Sequence, residues 1–118
     1  PLALKKNVSM IIGGVYNSGV LANPVKGAAY NYEPISEALL DRALAIKAFL
    51  AERGISLTAA AIQFPLRHPA VTTVLTGSRN STELRANIND FNFTSLSAAT
   101  AFFIQLLYCE ELILSGAN

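Results

Sequence analysis

Val8-Ser9-Met10-Ile11-Ile12-Gly13-Gly14-Val15 decides how this chain folds, together with a second run of the same kind, Val71-Thr72-Thr73-Val74-Leu75-Thr76. Both runs are short and rich in β-branched residues. The first is apolar on both faces rather than alternating, the pattern of a strand covered from two sides in a parallel sheet. Each run ends in glycine and a polar loop: Gly13-Gly14 leads into Tyr16-Asn17-Ser18-Gly19, and Gly77 leads into Ser78-Arg79-Asn80.

Between the two runs the pattern changes twice. Residues 22–34 carry Asn23-Pro24, Gly27, Asn31 and Pro34, residues that punctuate loops, so a long connection is expected there. From Ile35 onward, Leu39, Ala43, Ile46 and Leu50 recur at the spacing of one helical stripe, with Pro34 or Ser36 as the start and Gly54 as the stop. Glu37 and Asp41 flank that stripe, so one side of the helix should face a sheet and the other water. A shorter helix follows, with Ser56 or Thr58 as N-cap and Ala59 to Ile62 as its body. It should kink or end near Pro65, which has no backbone N–H and crowds the preceding turn. After the second strand, Ser81 is a plausible N-cap for a helix carrying Leu84, Ile88 and Phe91. A last amphipathic helix is expected over Ser97–Leu114, with Phe102, Leu106, Cys109 and Ile113 on its stripe.

This order is a βαβ unit followed by helices. Parallel strands need neighbours on both edges and helices over both faces, and two strands are too few to supply them. The chain is therefore expected to belong to a larger parallel sheet or barrel, or to borrow strands from other chains.

Composition narrows the function. The 118 residues are 52% hydrophobic and 14% charged, which describes one globular unit rather than a disordered tail. A formal net charge of +1, with no basic run beyond Lys5-Lys6, gives no footprint for a nucleic acid or an anionic membrane. The apolar stretch from Leu96 to Cys109 falls short of the roughly 20 residues that span a bilayer. Cys109, the single cysteine, allows no internal disulfide and no cysteine-based zinc cage, so no metal is expected and a reducing cytoplasm is the default setting. Asn-x-Ser/Thr triplets at Asn7, Asn80 and Asn92 do not alter that expectation, because such triplets are common by chance. The start, Pro1-Leu2-Ala3-Leu4, has neither an initiator Met nor a signal pattern, so a processed N-terminus or a piece of a longer chain is expected. Phosphate-loop, His-Glu-x-x-His and Gly-x-Ser-x-Gly motifs are absent from the sequence.

Two loops follow the C-terminal ends of the strands, where parallel α/β proteins place ligands. In Gly13-Gly14-Val15-Tyr16-Asn17-Ser18-Gly19, small residues let backbone approach a ligand, although a structural turn explains them equally well. In Thr76-Gly77-Ser78-Arg79-Asn80-Ser81-Thr82-Glu83, a glycine, hydroxyls and an arginine before a helix make an anion-binding corner, while Ser81 alone would be a cap and Arg79 alone a solvated charge. Both loops should share one end of adjacent strands.

The segments Ile12–Ala22, Tyr30-Asn31-Tyr32-Glu33-Pro34 and Gln63-Phe64-Pro65-Leu66-Arg67-His68-Pro69, with Thr76–Arg79, resemble the aldo-keto reductases. These are NAD(P)-dependent oxidoreductases on a (β/α)8 barrel. The resemblance is to the branch of D-threo-aldose, L-fucose and galactose dehydrogenases, near the pyridoxal 4-dehydrogenases. It implies an α/β fold in which this chain is the C-terminal βαβα portion of a TIM barrel, strands seven and eight with their helices. Residues 1–118 would be a single partial domain and residues 96–118 a C-terminal helical tail.

The resemblance also implies residue roles. Gly14, Tyr16 and Ser18 would line the pyrophosphate and nicotinamide side of a dinucleotide, and Gly77, Ser78, Arg79, Glu83 and Asn87 would surround its adenosine end. Members that favour NADP usually place a lysine and an arginine where this chain has Gly77 and Glu83. A carboxylate prefers a ribose hydroxyl to a phosphate, so NAD is expected ahead of NADP, with Arg79 still available to a phosphate. The family's Asp, Tyr, Lys and His of hydride transfer lie in earlier strands and have no counterpart here. His68, Tyr16, Tyr30, Tyr32 and Tyr108 do not match them, and His68 belongs to the barrel's stability face. The expectation is the cofactor-binding part of an aldose dehydrogenase, inactive by itself and completed by a missing N-terminal barrel portion. The alternative is a non-enzymatic, self-associating barrel fragment.

Overall fold

The computed structural model describes residues 1–93 together with Ser97, Thr100, Ala101, Ile104 and Gln105. A single helical turn, α1 (Leu2–Lys5), precedes the first strand, β1 (Met10–Gly13). A two-strand hairpin follows, β2 (Ala29–Tyr30) and β3 (Glu33–Pro34). Two helices come next, α2 (Glu37–Ala51) and α3 (Leu57–Leu66), then β4 (Val71–Leu75) and α4 (Ser81–Asn92). Neither α1 nor the hairpin was legible in the sequence pattern, and residues 22–34 had read as an unbroken connection. The expected last helix falls mostly outside the described residues.

β1 and β4 pair in parallel, with Ile11 opposite Thr73, Ile12 opposite Val74 and Gly13 opposite Leu75, and an irregularity between Met10 and Ile11. The ladder begins where the Met10 N–H donates to the Ala70 carbonyl at 2.7 Å. A parallel pair needs a crossover, and α2 with α3 supplies it. Ser36 caps α2, its Oγ accepting the Leu39 N–H, and Gly54 at φ +67° turns the chain out of the helix, a conformation that a Cβ would penalise. Ser56 caps α3, accepting the Ala59 N–H at 3.0 Å, and the helix ends one residue beyond Pro65.

The core lies between the two helices. Ile46 and Leu50 of α2 meet Leu57 and Ala60 of α3 and Ile104, with Leu21, Phe49, Ile55 and Phe64 packed around them. Gln63, buried on α3, donates from Nε2 to the carbonyls of Asp90 and Phe93, both at 2.9 Å, and so ties the end of α4 to α3.

Two expectations need correction. The strands had read as buried on both faces, yet Ile11 and Leu75 are each 67% exposed and Met10 is 40% exposed. The residues are apolar enough for burial, but among the described residues the sheet has only these two strands and nothing covers the outer sides. Leu84, Ile88 and Phe91 form the expected stripe on α4 but remain about half exposed, because the described residues cover that side of the helix only in part. No helix among the described residues is long and apolar enough to cross a membrane.

Candidate functional site

The parallel pairing of β1 with β4 puts the loops after Gly13 and after Leu75 at one end of the sheet. Asn87, in the second turn of α4, joins them. Its Oδ1 accepts the Tyr16 hydroxyl at 2.6 Å, and its Nδ2 donates to Ser78 Oγ at 3.0 Å and, more weakly, to Thr76 Oγ1 at 3.4 Å. One amide thus spends both of its functional ends on residues of the two loops. Burial pushes the Tyr16 phenol above its ordinary range, and the nearby Asp90 carboxylate adds to that, so the hydroxyl stays a donor through neutral pH.

The second loop is organised by α4. Asn80 is the N-cap, at φ −154° and with Oδ1 accepting the Glu83 N–H at 2.9 Å. This corrects Ser81, which is the first helical residue: Asn80 has the extended backbone a cap requires, and its amide oxygen reaches the N3 position. Glu83 closes back on the loop. Its Oε2 accepts the Arg79 backbone N–H at 2.8 Å, and its Oε1 accepts Arg79 Nη2 at 2.8 Å and Nε at 3.0 Å. Arg79 holds the Glu83 carboxyl below the usual carboxylate range, chiefly through the side-chain hydrogen bonds and then through the backbone one. The guanidinium had read as available to a phosphate. It remains 90% exposed but already carries a partner.

The first loop is built from consecutive turns. Gly14 sits at φ +67°, Asn17 at +44° and Ser18 at +59°, and the Gly19 N–H donates back to the Tyr16 carbonyl at 3.0 Å. Open space lies beside Gly14 and Gly77, where a Cβ would meet nothing within 4 Å, so a ligand can approach backbone at both. Ser78 and Arg79 follow Gly77 directly at the N-terminal end of α4, where Asn87 and Glu83 already engage them, so a ligand there shares or displaces those bonds. A hydroxyl, a guanidinium and a helix N-terminus are groups that receive an anionic, hydrogen-bonding ligand.

All eight residues singled out by sequence (Gly14, Tyr16, Ser18, Gly77, Ser78, Arg79, Glu83 and Asn87) therefore belong to the two loops and the start of α4. The structure adds Thr76, a partner of Asn87, and Asn17, which accepts the Asn31 N–H at 2.9 Å. Both lie inside the two loop motifs, but nothing in the sequence distinguishes them from their neighbours there. His68 precedes β4 at its opposite end, where Nδ1 accepts the Ala70 N–H at 3.2 Å, a structural role. An apolar cavity of about 350 Å3 lies under the first loop against α2 and α3, lined by Val15, Leu21, Tyr30, Leu39 and Phe64 among others. Gly14 is its one residue from the eight. No cluster of metal-ligating side chains occurs among the described residues.

The chain is similar to known proteins over most of its length. The model of the aldo/keto reductase family matches residues 1–103. The chain is 38% identical over 89 residues to a pyridoxal 4-dehydrogenase of Microbacterium luteolum, an alignment covering 75% of this chain and 26% of that protein. It is 33% identical over 89 residues to a D-threo-aldose 1-dehydrogenase of a Pseudomonas species, covering 74% of this chain and 27% of the relative. Among solved structures, an aldo-keto reductase from Bacillus halodurans in its apo form superposes with a TM-score of 0.72 at 27% identity, covering 91% of this chain and 36% of that one. The holo form of the same enzyme gives 0.68 at 25% identity. The chain thus spans about a quarter of the length of the curated relatives it matches.

Proposed function

This chain belongs to the aldo/keto reductase family, and from that premise we propose that it is the C-terminal, cofactor-binding part of an NAD(P)-dependent oxidoreductase of the aldose 1-dehydrogenase type. In this reading β1 and β4 are the seventh and eighth strands of a (β/α)8 barrel and residues 1–118 are one partial domain; the tail expected over residues 96–118 lies mostly outside the described residues. The protein works in the cytoplasm. The exposed sides of Ile11 and Leu75 are covered by the strands of an N-terminal portion, as a barrel of roughly 250 residues requires.

The observation that carries the reading is the Tyr16–Asn87–Ser78 bridge, which fixes the two loops at the ligand-binding end of parallel strands. Gly14, Tyr16 and Ser18 hold the pyrophosphate and nicotinamide side, and Gly77, Ser78, Arg79, Glu83 and Asn87 hold the adenosine side. When bound, the dinucleotide supplies the hydride-accepting ring, and the protein contributes orientation and electrostatics. Asn87 keeps Ser78 and Tyr16 at fixed positions, and open backbone at Gly14 and Gly77 admits the phosphates and ribose. Glu83 neutralises Arg79 and offers an acceptor to a ribose hydroxyl, which favours NAD over NADP. The groups that move the substrate's proton lie outside these residues, so the chain alone turns nothing over.

The test is an NAD-linked assay with L-fucose, D-arabinose, galactose and pyridoxal, run on the 118-residue chain and on the natural full-length protein containing it. The reading expects turnover with the full-length protein only. Turnover by the isolated chain, or absence of nucleotide binding by the full-length protein, overturns it. A second reading, a self-associating barrel fragment without enzymatic role, is favoured by the open edges of the β1–β4 pair. Light scattering on the purified chain separates the two: oligomers that ignore nucleotide support the second, and a monomer removes it.

A further inference from the structure

The loop after β1 and the turn of the β2–β3 hairpin meet through two hydrogen bonds in step. The Asn31 N–H donates to Asn17 Oδ1 at 2.9 Å, and the Tyr32 N–H donates to Ser18 Oγ at 3.0 Å. Each pair of residues is the centre of a tight turn. Asn17 and Ser18 lie at φ +44° and +59°, and the Gly19 N–H closes their turn on the Tyr16 carbonyl at 3.0 Å. Asn31 and Tyr32 lie at φ +50° and +67° between the paired residues Tyr30 and Glu33. Positive φ at both central positions is a conformation that glycine accepts and other side chains resist. Four of the five non-glycine residues at positive φ among the described residues are gathered in this one contact, where the side chains of one turn pair the backbone donors of the other. Strain that its surroundings over-determine points to a place where geometry matters more than stability.

This clasp bears on the candidate site through Tyr16. The phenol of Tyr16 is fixed by Asn87 of α4 at 2.6 Å, and its carbonyl accepts the Gly19 and Leu21 N–H groups, at 3.0 and 3.1 Å, around the turn that Asn17 and Ser18 form. The Asn17 N–H also donates back to the Gly14 carbonyl at 2.9 Å. We propose that Asn17 is a positioning residue for the dinucleotide: its side-chain amide, bonded to the hairpin backbone, holds Gly14 to Tyr16 in the arrangement that receives the ligand. The proposal rests on the dehydrogenase reading above and adds to it a residue and a hairpin that act without touching the ligand. Ser18 serves both sides, because an oxygen that accepts from Tyr32 keeps its own proton to donate to a phosphate. Without the Asn17 amide the loop samples other arrangements, and the apparent affinity falls by the fraction of molecules that stay competent.

The experiment uses the natural full-length protein, reading NAD affinity by calorimetry, the KM and kcat of its NAD-linked turnover, and the thermal midpoint. Asn17→Gly and Asn17→Ala both delete the acceptor, but glycine tolerates the left-handed backbone and alanine does not. Both variants are expected to weaken NAD binding about fivefold and to raise its KM alike, with kcat at saturating NAD within about twofold of wild type. Only Asn17→Ala should lower the midpoint clearly. Tyr32→Gly keeps the backbone donor and adds the same chain freedom as Asn17→Gly, so its NAD affinity should match wild type. NAD affinity within about twofold of wild type in Asn17→Gly overturns the proposal. So does a loss confined to Asn17→Ala, which follows strain rather than the missing bond, or a loss in Tyr32→Gly equal to that in Asn17→Gly, which follows chain freedom. In each of these outcomes the wild-type protein still binds NAD and the dehydrogenase reading stands, whereas a wild-type protein that binds no nucleotide overturns both.

Discussion

The hydrogen bond from Tyr16 to Asn87 crosses 71 positions of sequence and is the main polar link between the two loops, so its energy is worth measuring by a double-mutant cycle. Tyr16→Phe removes one short, half-buried bond of 2.6 Å and leaves the ring in place, with an expected cost of about 1 kcal/mol. Asn87→Ala removes that bond together with the 3.0 Å bond to Ser78 and the weak one to Thr76, for about 2 kcal/mol. The double variant should also cost about 2 kcal/mol, because the shared bond is lost only once, giving a coupling of about 1 kcal/mol. Urea unfolding followed by far-ultraviolet circular dichroism is the assay, since it does not depend on the mutated phenol. The same bond has a pH signature. Tyr16 is raised in the folded state, so its contribution is complete below its ordinary value of about 10 and is lost as pH climbs through the higher folded value. Tyr16→Phe should flatten that alkaline fall. Additive single effects, within about 0.3 kcal/mol, would refute the claim that Asn87 couples the loops.

Other expectations follow from the packing and the charges. Leu50 is fully buried at 0% exposure, and Leu50→Ala should cost about 3 kcal/mol in the same unfolding assay. Gln63→Leu removes the donors to the Asp90 and Phe93 carbonyls and should cost about 2 kcal/mol, with faster amide exchange at the end of α4. Glu83 has a lowered folded value, so its stabilising share is present above the unfolded carboxylate range and disappears as pH falls. Glu83→Gln should therefore reduce the acid-side slope of stability. The same variant releases Arg79 from its carboxylate partner and should shift the preference of the full-length protein toward NADP, read by titrating both nucleotides.

Much of the scaffold was legible because local signals agreed. Leu39, Ala43, Ile46 and Leu50 spelled the stripe of α2; Ser36 and Ser56 capped where a cap was expected; Pro65 marked the end of α3. The hairpin was hidden because its turn uses Tyr32 where a glycine would have announced it. The capping residue of α4 was displaced by one because Asn80, Ser81 and Thr82 are all capable caps, and only the backbone angle at Asn80 decides among them. Strand exposure escapes the sequence for a different reason. Apolar residues such as Ile11 and Leu75 report the surroundings a strand is suited to, while the described residues contain only part of such surroundings. At the site, the identity of Ser78, Arg79, Glu83 and Asn87 came from the motif. Their pairing did not: the bond between Tyr16 and Asn87 depends on the register of two strands far apart in sequence, and the Arg79–Glu83 pairing depends on where the N-cap falls.

The central claim is that the loops after β1 and β4 together make one dinucleotide site. Calorimetric titration of NAD into the full-length protein, with Ser78→Ala in the second loop and Gly14→Val in the first as comparisons, tests it most directly. The account predicts that wild type binds and that each substitution, one on either strand's loop, weakens binding at least about tenfold. Affinity unchanged by either substitution would contradict it.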